Sequence, residues 1–469
     1  MTTSRKTNSR LRRGVAELLG MGSATSRPGV ETPSAAKYVL GLTVAIFSAM
    51  AWYAGAIDLG FSADGAWFFA QILDQGSVRD YWSRRYGDLA LLWPALLAVK
   101  AGVTSVPVLG ALFHVGLYLP FLLSFLICWY ASRSLDDDAL LLFPLASYLL
   151  VTLPAASILV GSSHVVAVVV WPILFLLLRP RLAPVDGMLL IVLLVVASRS
   201  YETAVVSLGI CLCLLAARLW LGAPRERPIV LVAMAVVLTG IAINAYWALI
   251  PARGLNRARF VDQMGCFRCH PMLMYSAGSI LLLAASLCVR RLRILAVPAL
   301  LIAAASIRLS ISGRVASAAA SFNLRTLTLT LLPVLLIAAI AVHVRRPRLS
   351  PREWILAGTT FGLLSIGYAA SWTQWREFRR SLVSVLETHS GYVALDETPI
   401  ARNRQRWTWT APLLSVLWSG GCVRAVILNG PGVAYEPFDP HGNCRCSAMS
   451  HMHRRSRPQT PMACGATDW

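Results

Sequence analysis

Charged residues are scarce in this sequence. Asp, Glu, Lys and Arg make up 14% of its 469 residues, whereas hydrophobic residues make up 57%. Because soluble domains carry about 25% charged residues, this composition excludes an ordinary soluble protein. Long apolar stretches recur along the chain, and a helix of about 20 apolar residues crosses a bilayer with its own backbone groups satisfied. The sequence therefore predicts an all-α polytopic membrane protein.

The sequence also lacks a repeat of fixed period and a basic domain with interleaved aromatic residues. The first absence weakens an interpretation as a transporter built from inverted repeats. The second excludes nucleic acid as a partner, although the formal net charge is +21. The basic residues instead cluster in short segments between apolar stretches, which is typical of the cytoplasmic links of membrane proteins.

The apolar stretches predict about eleven transmembrane helices and a short interfacial or re-entrant helix at 89–101. The predicted spans are 38–57, 105–130, 139–158, 164–178, 187–198, 203–221, 229–250, 271–289, 294–309, 321–343 and 353–371, which together form the multi-span domain 38–371. The basic leader, 1–37, is too long for the charged region of a signal peptide, so we expect it to stay in the cytoplasm.

Eleven crossings place the short basic links inside and the longer, chemically varied segments outside. The outer segments are the first loop (58–104), the link 198–202, the loop 251–270 and the chain after residue 372. We predict a protein of the bacterial inner membrane with a cytoplasmic N-terminus and a periplasmic C-terminus.

The segment after the last predicted span has a pattern of its own. Residues 373–387 predict an amphipathic helix, and 391–395 and 423–428 predict short strands. We therefore expect a small outward-facing C-terminal α/β segment at 372–440. Residues 441–469 have no apolar periodicity and are predicted to be disordered.

Two aspartates follow the first predicted span closely. Asp58 lies at its end and Asp64 six residues later, so a turn near Gly60 would bring both towards one cavity. A carboxylate in a partly apolar pocket has a raised pKa and accepts a proton from an attacking hydroxyl. Alternatively, both aspartates cap the helix that begins near Ala66, for which Asp64 is a good N-cap residue.

Three arginines of the loop 251–270, Arg253, Arg257 and Arg259, lie outside, against the positive-inside trend. Guanidinium groups suit phosphate, so the loop binds either a lipid-linked phosphate or anionic phospholipid headgroups. The same loop contains Cys266-x-x-Cys269-His270, the pattern of c-type haem attachment. The absence of a cytochrome-like domain favours a disulfide or unpaired cysteines over haem.

Further ionisable residues stand where apolar stretches meet. Ionisable residues within a membrane are usually functional, which predicts a functional role for Arg199 and Glu202. Alternatively, the two residues pair with one another across a tight hairpin and are structural. His164, near the start of another span, is either catalytic or part of a hydrogen-bonded structure.

This arrangement resembles the GT-C superfamily of integral membrane glycosyltransferases. The resemblance rests on the cytoplasmic N-terminus, the acidic residues directly after the first span (Asp58, Asp64), the interfacial helices at 67–73 and 89–99, the many uneven spans and the outward C-terminal segment. It implies transfer of a sugar from a polyprenyl-phosphate-linked donor to a glycan, lipid or protein acceptor at the outer face, among membrane lipids.

The resemblance also implies residue roles. Asp64 or Asp58 would be the general base, and the donor or its phosphate would be held by basic and polar residues of other outer segments, namely Arg253, Arg257, Arg259, Arg199, Glu202 and His164. Some members of the superfamily use a divalent metal. No third carboxylate lies close to the two aspartates in the sequence, so the metal-free form without a cofactor is favoured.

Two other functions remain open. A transporter or flippase of a lipid-linked solute would use Arg199 and Glu202 along a path through the bilayer. A non-catalytic scaffold of envelope assembly would use Asp58 and Asp64 only as helix caps.

Overall fold

A computed structural model of the protein describes residues 34–61, 64–77, 85–135, 137–153, 163–249, 271–311, 323–389, 391–394, 398, 411–418 and 425–428. The described α-helices are α1 (Ser34–Ala56), α2 (Asp64–Gln75), α3 (Arg85–Lys100), α4 (Val106–Ser132), α5 (Leu142–Ser147), α6 (Ser163–Leu178), α7 (Pro184–Ser198), α8 (Ala204–Leu221), α9 (Arg227–Leu249), α10 (Pro271–Cys288), α11 (Ala296–Ile311), α12 (Asn323–Arg345), α13 (Pro351–Ser371), α14 (Thr373–Thr388) and α15 (Ala411–Trp418). Residues 1–33 of the leader and the predicted disordered tail, 441–469, lie outside the described residues.

Shorter elements connect or interrupt these helices. The 3-10 turns are Leu59–Phe61, Asp138–Leu141, Pro224–Glu226 and Arg290–Leu295, and a π-helix covers Tyr148–Thr152. Strands β1 (Gly391–Ala394) and β2 (Ala425–Leu428) pair in parallel, with Gly391 opposite Ala425. The strands fall within the segments 391–395 and 423–428 predicted from the sequence. An outward-facing α/β segment stays a prediction.

Several long apolar helices indicate an integral membrane protein, as the composition predicts. By length and composition, six helical segments of the described chain are able to cross a membrane: Lys37–Ala56, Val106–Ser132, Ala204–Leu221, Pro224–Leu249, Leu327–Arg345 and Pro351–Thr388. Shorter apolar helices cover Asp138–Thr152, Ser163–Leu178, Pro184–Ser198 and Met274–Cys288. Eleven crossings and the orientation of the termini stay predictions.

Local sequence explains where individual helices begin. Helix α13 begins with a capping box, in which the Ser350 hydroxyl accepts a hydrogen bond from the Glu353 N–H and the Glu353 carboxylate accepts one from the Ser350 N–H at 2.6 Å. Proline occupies the first position of both α13 and α7, where a missing N–H costs little. Asp186 accepts the Ala183 N–H at the start of α7.

The chain divides into two compact units. The larger unit comprises Met1–Trp52, Asp80–Leu91 and Tyr118–Trp372, and the smaller unit comprises Tyr53–Arg79, Leu92–Leu117 and Thr373–Trp469. Every residue of α6 is buried, which places this helix at the centre of the larger unit against α7, α8 and α12. A helix that is apolar on all sides is typical of such a position.

A buried ion pair fixes the ends of α8 and α9 in the larger unit. The Arg218 guanidinium donates to one carboxylate oxygen of Glu226 through Nε at 3.0 Å and Nη2 at 2.8 Å, and to the carbonyls of Leu177 and Arg179 through Nη1. The other Glu226 oxygen accepts the Leu182 N–H at 3.0 Å. The side chain of Arg218 is fully buried, so its charge depends on these partners.

We predict that Glu226→Ala lowers the stability of the protein by about 3–5 kcal/mol, because it leaves the Arg218 charge buried and unpaired. The measurement is thermal unfolding of the detergent-solubilised protein. Arg225→Ala is the matched control, since Arg225 is adjacent and exposed. An equal effect of both substitutions would contradict the assignment.

Candidate functional site

Asp58 stands in a tight turn directly after α1. Its φ of +54° lies in the left-handed region, which residues other than glycine seldom adopt and which aspartate tolerates better than most. Two backbone hydrogen bonds hold the turn, from the Asp58 N–H to the Gly55 carbonyl at 3.1 Å and from the Phe61 N–H to the Asp58 carbonyl at 3.0 Å. The turn therefore fixes the direction in which the Asp58 side chain leaves the backbone.

His114 of α4 is hydrogen-bonded to this turn. The Gly60 N–H donates to Nε2 of His114 at 3.0 Å, and Nδ1 of His114 lies 2.6 Å from the Gly110 carbonyl. Since Nε2 accepts a hydrogen bond, the proton belongs on Nδ1, which defines a neutral tautomer in this arrangement. His114 is buried, so this imidazole is a structural support for the turn as well as a polar group beside Asp58.

Three phenylalanines pack around the same turn. The ring centroid of Phe61 lies 4.6 Å from that of Phe69, 5.6 Å from that of Phe113 and 5.0 Å from that of His114. All three phenylalanines are buried. Aromatic pairs at these separations add to the stabilisation from burial alone, so the turn is held by packing on one side and by hydrogen bonds on the other.

Helix α14 brings an arginine to Asp58. Nη2 of Arg379 lies 2.8 Å from Oδ2 of Asp58. One helical turn earlier, the buried Trp375 donates its Nε1–H to the Ile57 carbonyl at 2.7 Å and so ties α14 to the residue before Asp58. The Arg379 guanidinium also lies 5.7 Å above the ring of Trp418 in α15. Asp58 is thus positioned by its turn and Arg379 by α14.

The ion pair is partly open to solvent. The Asp58 side chain is 22% exposed and the Arg379 side chain 37% exposed. Burial raises the pKa of Asp58 above its ordinary value, and the nearby Arg379 guanidinium offsets only part of that rise. Asp58 therefore holds a proton more tightly than a fully solvated aspartate and remains reachable by a ligand.

The arrangement joins a proton acceptor to an anion-binding group. Arginine has five N–H donors, and the contact between Nη2 of Arg379 and Oδ2 of Asp58 does not occupy all of them. The partly exposed guanidinium can therefore engage a second anion, such as a phosphate. A hydroxyl that reaches Asp58 would stand beside that anion.

The structure describes only some of the other residues predicted from the sequence. Asp64 is the first residue of α2, and its side chain lies outside the described part. Arg199, Glu202 and His164 belong to the larger unit, where Arg199 follows α7 with its guanidinium 5.3 Å from the ring of Tyr86. The remaining predicted residues, Arg253, Arg257, Arg259, Cys266, Cys269 and His270, lie outside the described residues.

The sequence pattern does not single out three residues of the site, His114, Trp375 and Arg379. His114 is a histidine within an apolar stretch, which is itself a signal of function or of a fixed hydrogen bond. Arg379 and Trp375 lie in the predicted amphipathic helix, but nothing in the local pattern separates Arg379 from its neighbours Arg376 and Arg380.

No protein-family model, curated protein or solved structure matches this chain.

We predict that Gly60→Ala destabilises the turn that carries Asp58. A Cβ at Gly60 would lie 2.7 Å from Cδ1 of Leu117 and 2.9 Å from the His114 ring, so these side chains must move. Overpacking of this kind costs about 1–3 kcal/mol. The measurement is the thermal unfolding midpoint.

Gly41→Ala in α1 and Gly278→Ala in α10 are the controls, because a Cβ at either glycine meets nothing within 4 Å. In a helix these controls should be neutral or slightly stabilising. If Gly60→Ala matches them, the close packing at the turn is not what positions Asp58.

Proposed function

We propose that the protein is a membrane glycosyltransferase that moves a sugar from a polyprenyl-phosphate-linked donor to an acceptor hydroxyl, with Asp58 as general base. The observation that carries the proposal is the contact between Asp58 and Arg379 at 2.8 Å, partly exposed and held by α1, α4 and α14. Sugar transfer from a phosphate-linked donor needs a proton acceptor and an anion-binding group side by side. This pair supplies both.

In the proposed reaction, the acceptor hydroxyl gives its proton to the Asp58 carboxylate as its oxygen bonds to the anomeric carbon of the sugar. The bond between that carbon and the phosphate oxygen breaks, and the phosphate leaves with the electron pair. Arg379 stabilises the negative charge of the leaving phosphate through N–H donors that Asp58 does not use. The rigid turn holds Asp58 in place and so reduces the entropy cost of alignment.

The reaction takes place at the outer face of the bacterial inner membrane, in a protein of about eleven spans with an outward α/β segment at 372–440. Arg253, Arg257 and Arg259 add contacts to the donor phosphate or diphosphate, and Asp64 is the alternative base. The acceptor is a glycan, lipid or protein hydroxyl. No metal is required, because Arg379 takes the role that a divalent cation would have.

We expect Asp58→Asn to lower kcat for sugar transfer by at least about 100-fold, which is the lower range for loss of a general base. The measurement is transfer from polyprenyl-phosphate-linked sugars by the purified full-length protein. Glu377→Gln is the matched control, since Glu377 is an exposed carboxylate on α14 two residues from Arg379. A loss in Asp64→Asn instead would assign the base to Asp64. Full activity in both aspartate variants would refute the proposal.

We expect Arg379→Gln to shift the acid limb of the pH–rate profile to higher pH. The base must be deprotonated to act, and the Arg379 guanidinium lowers the pKa of Asp58, so its removal raises that pKa further. The same variant should lower kcat/KM by about 100-fold, because a donor to the leaving group is lost. The measurement is kcat/KM as a function of pH.

Arg379→Lys keeps the positive charge and should shift the acid limb less than Arg379→Gln. Arg376→Gln, an exposed arginine one turn earlier on α14, should leave the profile unchanged. An unshifted acid limb in Arg379→Gln would mean that the titrating group is not Asp58.

A transporter is the second candidate, and one observation favours it. Nδ1 of His343 in α12 lies 3.0 Å from Oδ2 of Asp137, and both side chains are fully buried in the larger unit. Buried ionisable pairs in membrane proteins often belong to proton or substrate pathways. Proton-coupled movement of a lipid-linked solute in proteoliposomes, lost in Asp137→Asn but retained in Asp58→Asn, would support this candidate over the transferase.

A further inference from the structure

Six exposed arginines lie on two short segments of the larger unit. They are Arg290 and Arg291 of the 3-10 turn Arg290–Leu295, and Arg345, Arg346, Arg348 and Arg352 at the junction of α12 and α13. We call these six residues the guanidinium patch. The two segments meet, because Nη1 of Arg293 in the first lies 3.0 Å and 3.1 Å from the two carboxylate oxygens of Glu353 in the second.

The carboxylate at the centre of the patch is already engaged. Glu353 binds Arg293 and also accepts the Ser350 N–H at 2.6 Å, so it is committed to holding the two segments together. Within the described part of the chain, none of the six patch arginines forms an ion pair. Six like charges in so small a region repel one another, and a bound anion would relieve that repulsion.

Exposed aliphatic side chains flank the arginines. Ile294, in the middle of the first segment, is 83% exposed, and Val289 and Leu295 beside it are also exposed. On the second segment, Val344 precedes Arg345, and Ile355 follows Arg352 by three residues; both are exposed. A soluble phosphate or a polyanion in water would leave these aliphatic groups uncovered. An amphiphile with a phosphate head and a hydrocarbon tail matches both kinds of group.

We propose that the guanidinium patch is a binding site for anionic phospholipids, with the headgroup phosphate held by the arginines and the acyl chains against the flanking aliphatic residues. Arginine binds phosphate through paired N–H donors, and basic clusters at the ends of transmembrane helices bind anionic lipid heads. The inference does not depend on the proposed sugar transfer, and it concerns a different part of the chain from Asp58.

A second arginine-bearing turn provides a comparison. The 3-10 turn Pro224–Glu226 leads into α9 as Arg290–Leu295 leads into α11, and Arg225 and Arg227 are exposed there. Each turn carries two exposed arginines, but Glu226 pairs with Arg218, whereas Arg293 and Glu353 join the turn Arg290–Leu295 to a segment with four more. If positive charge at helix ends were enough for lipid binding, both turns would behave alike. The proposal requires that they differ.

The test titrates purified full-length protein in neutral detergent with phosphatidylglycerol or phosphatidylcholine. The readouts are the unfolding midpoint and the number of lipids retained in native mass spectrometry. We expect phosphatidylglycerol alone to stabilise the wild type. Arg290→Gln/Arg291→Gln should raise the half-saturating concentration of phosphatidylglycerol by about tenfold or more. Each basic residue near an anionic lipid surface contributes measurably to binding. Arg225→Gln/Arg227→Gln should not change that concentration.

The proposed site would be refuted if both double variants bound phosphatidylglycerol equally weakly, or if neither bound it more weakly than the wild type. Inorganic phosphate serves as the third ligand: if it stabilises the wild type as well as the lipid does, the patch binds free phosphate and the lipid assignment is wrong. Should Arg290→Gln/Arg291→Gln fail to fold, Arg348→Gln/Arg352→Gln removes charge from the other segment of the patch. The comparison of the two lipids on the wild type needs no variant and overturns the proposal if their effects are equal.

Discussion

A charge inside an apolar protein has to be paired, and this constraint governs where the ionisable side chains of the chain stand. Arg218 and Glu226 form one such pair, with side chains that are 0% and 8% exposed, and His343 and Asp137 form another with no exposure at all. Removing Glu226 would leave the Arg218 charge unpaired, which is costly in a low-dielectric interior. The Arg218–Glu226 pair is explained by the fold that it holds together.

Asp58 and Arg379 form a different kind of pair. Their side chains are 22% and 37% exposed, so solvent already screens them and the fold needs the contact less. The turn around Asp58 is nevertheless held by specific contacts. Asp58 has a left-handed backbone conformation, His114 accepts a hydrogen bond from the Gly60 N–H, and Trp375 donates one to the Ile57 carbonyl. Backbone strain that is retained at a polar, accessible position is typical of functional sites. Arg293 and Glu353 are also partly exposed, so the turn that holds Asp58, rather than exposure or the contact itself, singles out this pair.

The positions of the helices can be predicted from the sequence more closely than the partners of Asp58 can. Apolar length and polar breaks place α6 and α8 within about two residues of the predicted spans 164–178 and 203–221. The π-helix at Tyr148–Thr152 was not predicted, because apolar periodicity does not distinguish it from an α-helix. Asp58 stood out as an acid next to a span. Its partner Arg379 lies more than three hundred residues away in the sequence, and only the packing of α14 selects it from three similar arginines.

The contact of Asp58 also bears on the scaffold interpretation, in which this aspartate is only a helix cap. In that interpretation Asp58 caps the helix that follows it, but α2 begins at Asp64, six residues later, and the Asp58 carboxylate contacts Arg379 instead. Partial exposure lowers the desolvation cost of the ion pair and also leaves the carboxylate open to a ligand. An aspartate that must receive a proton from a ligand needs both the anchor and the opening. The geometry of the turn meets that double requirement.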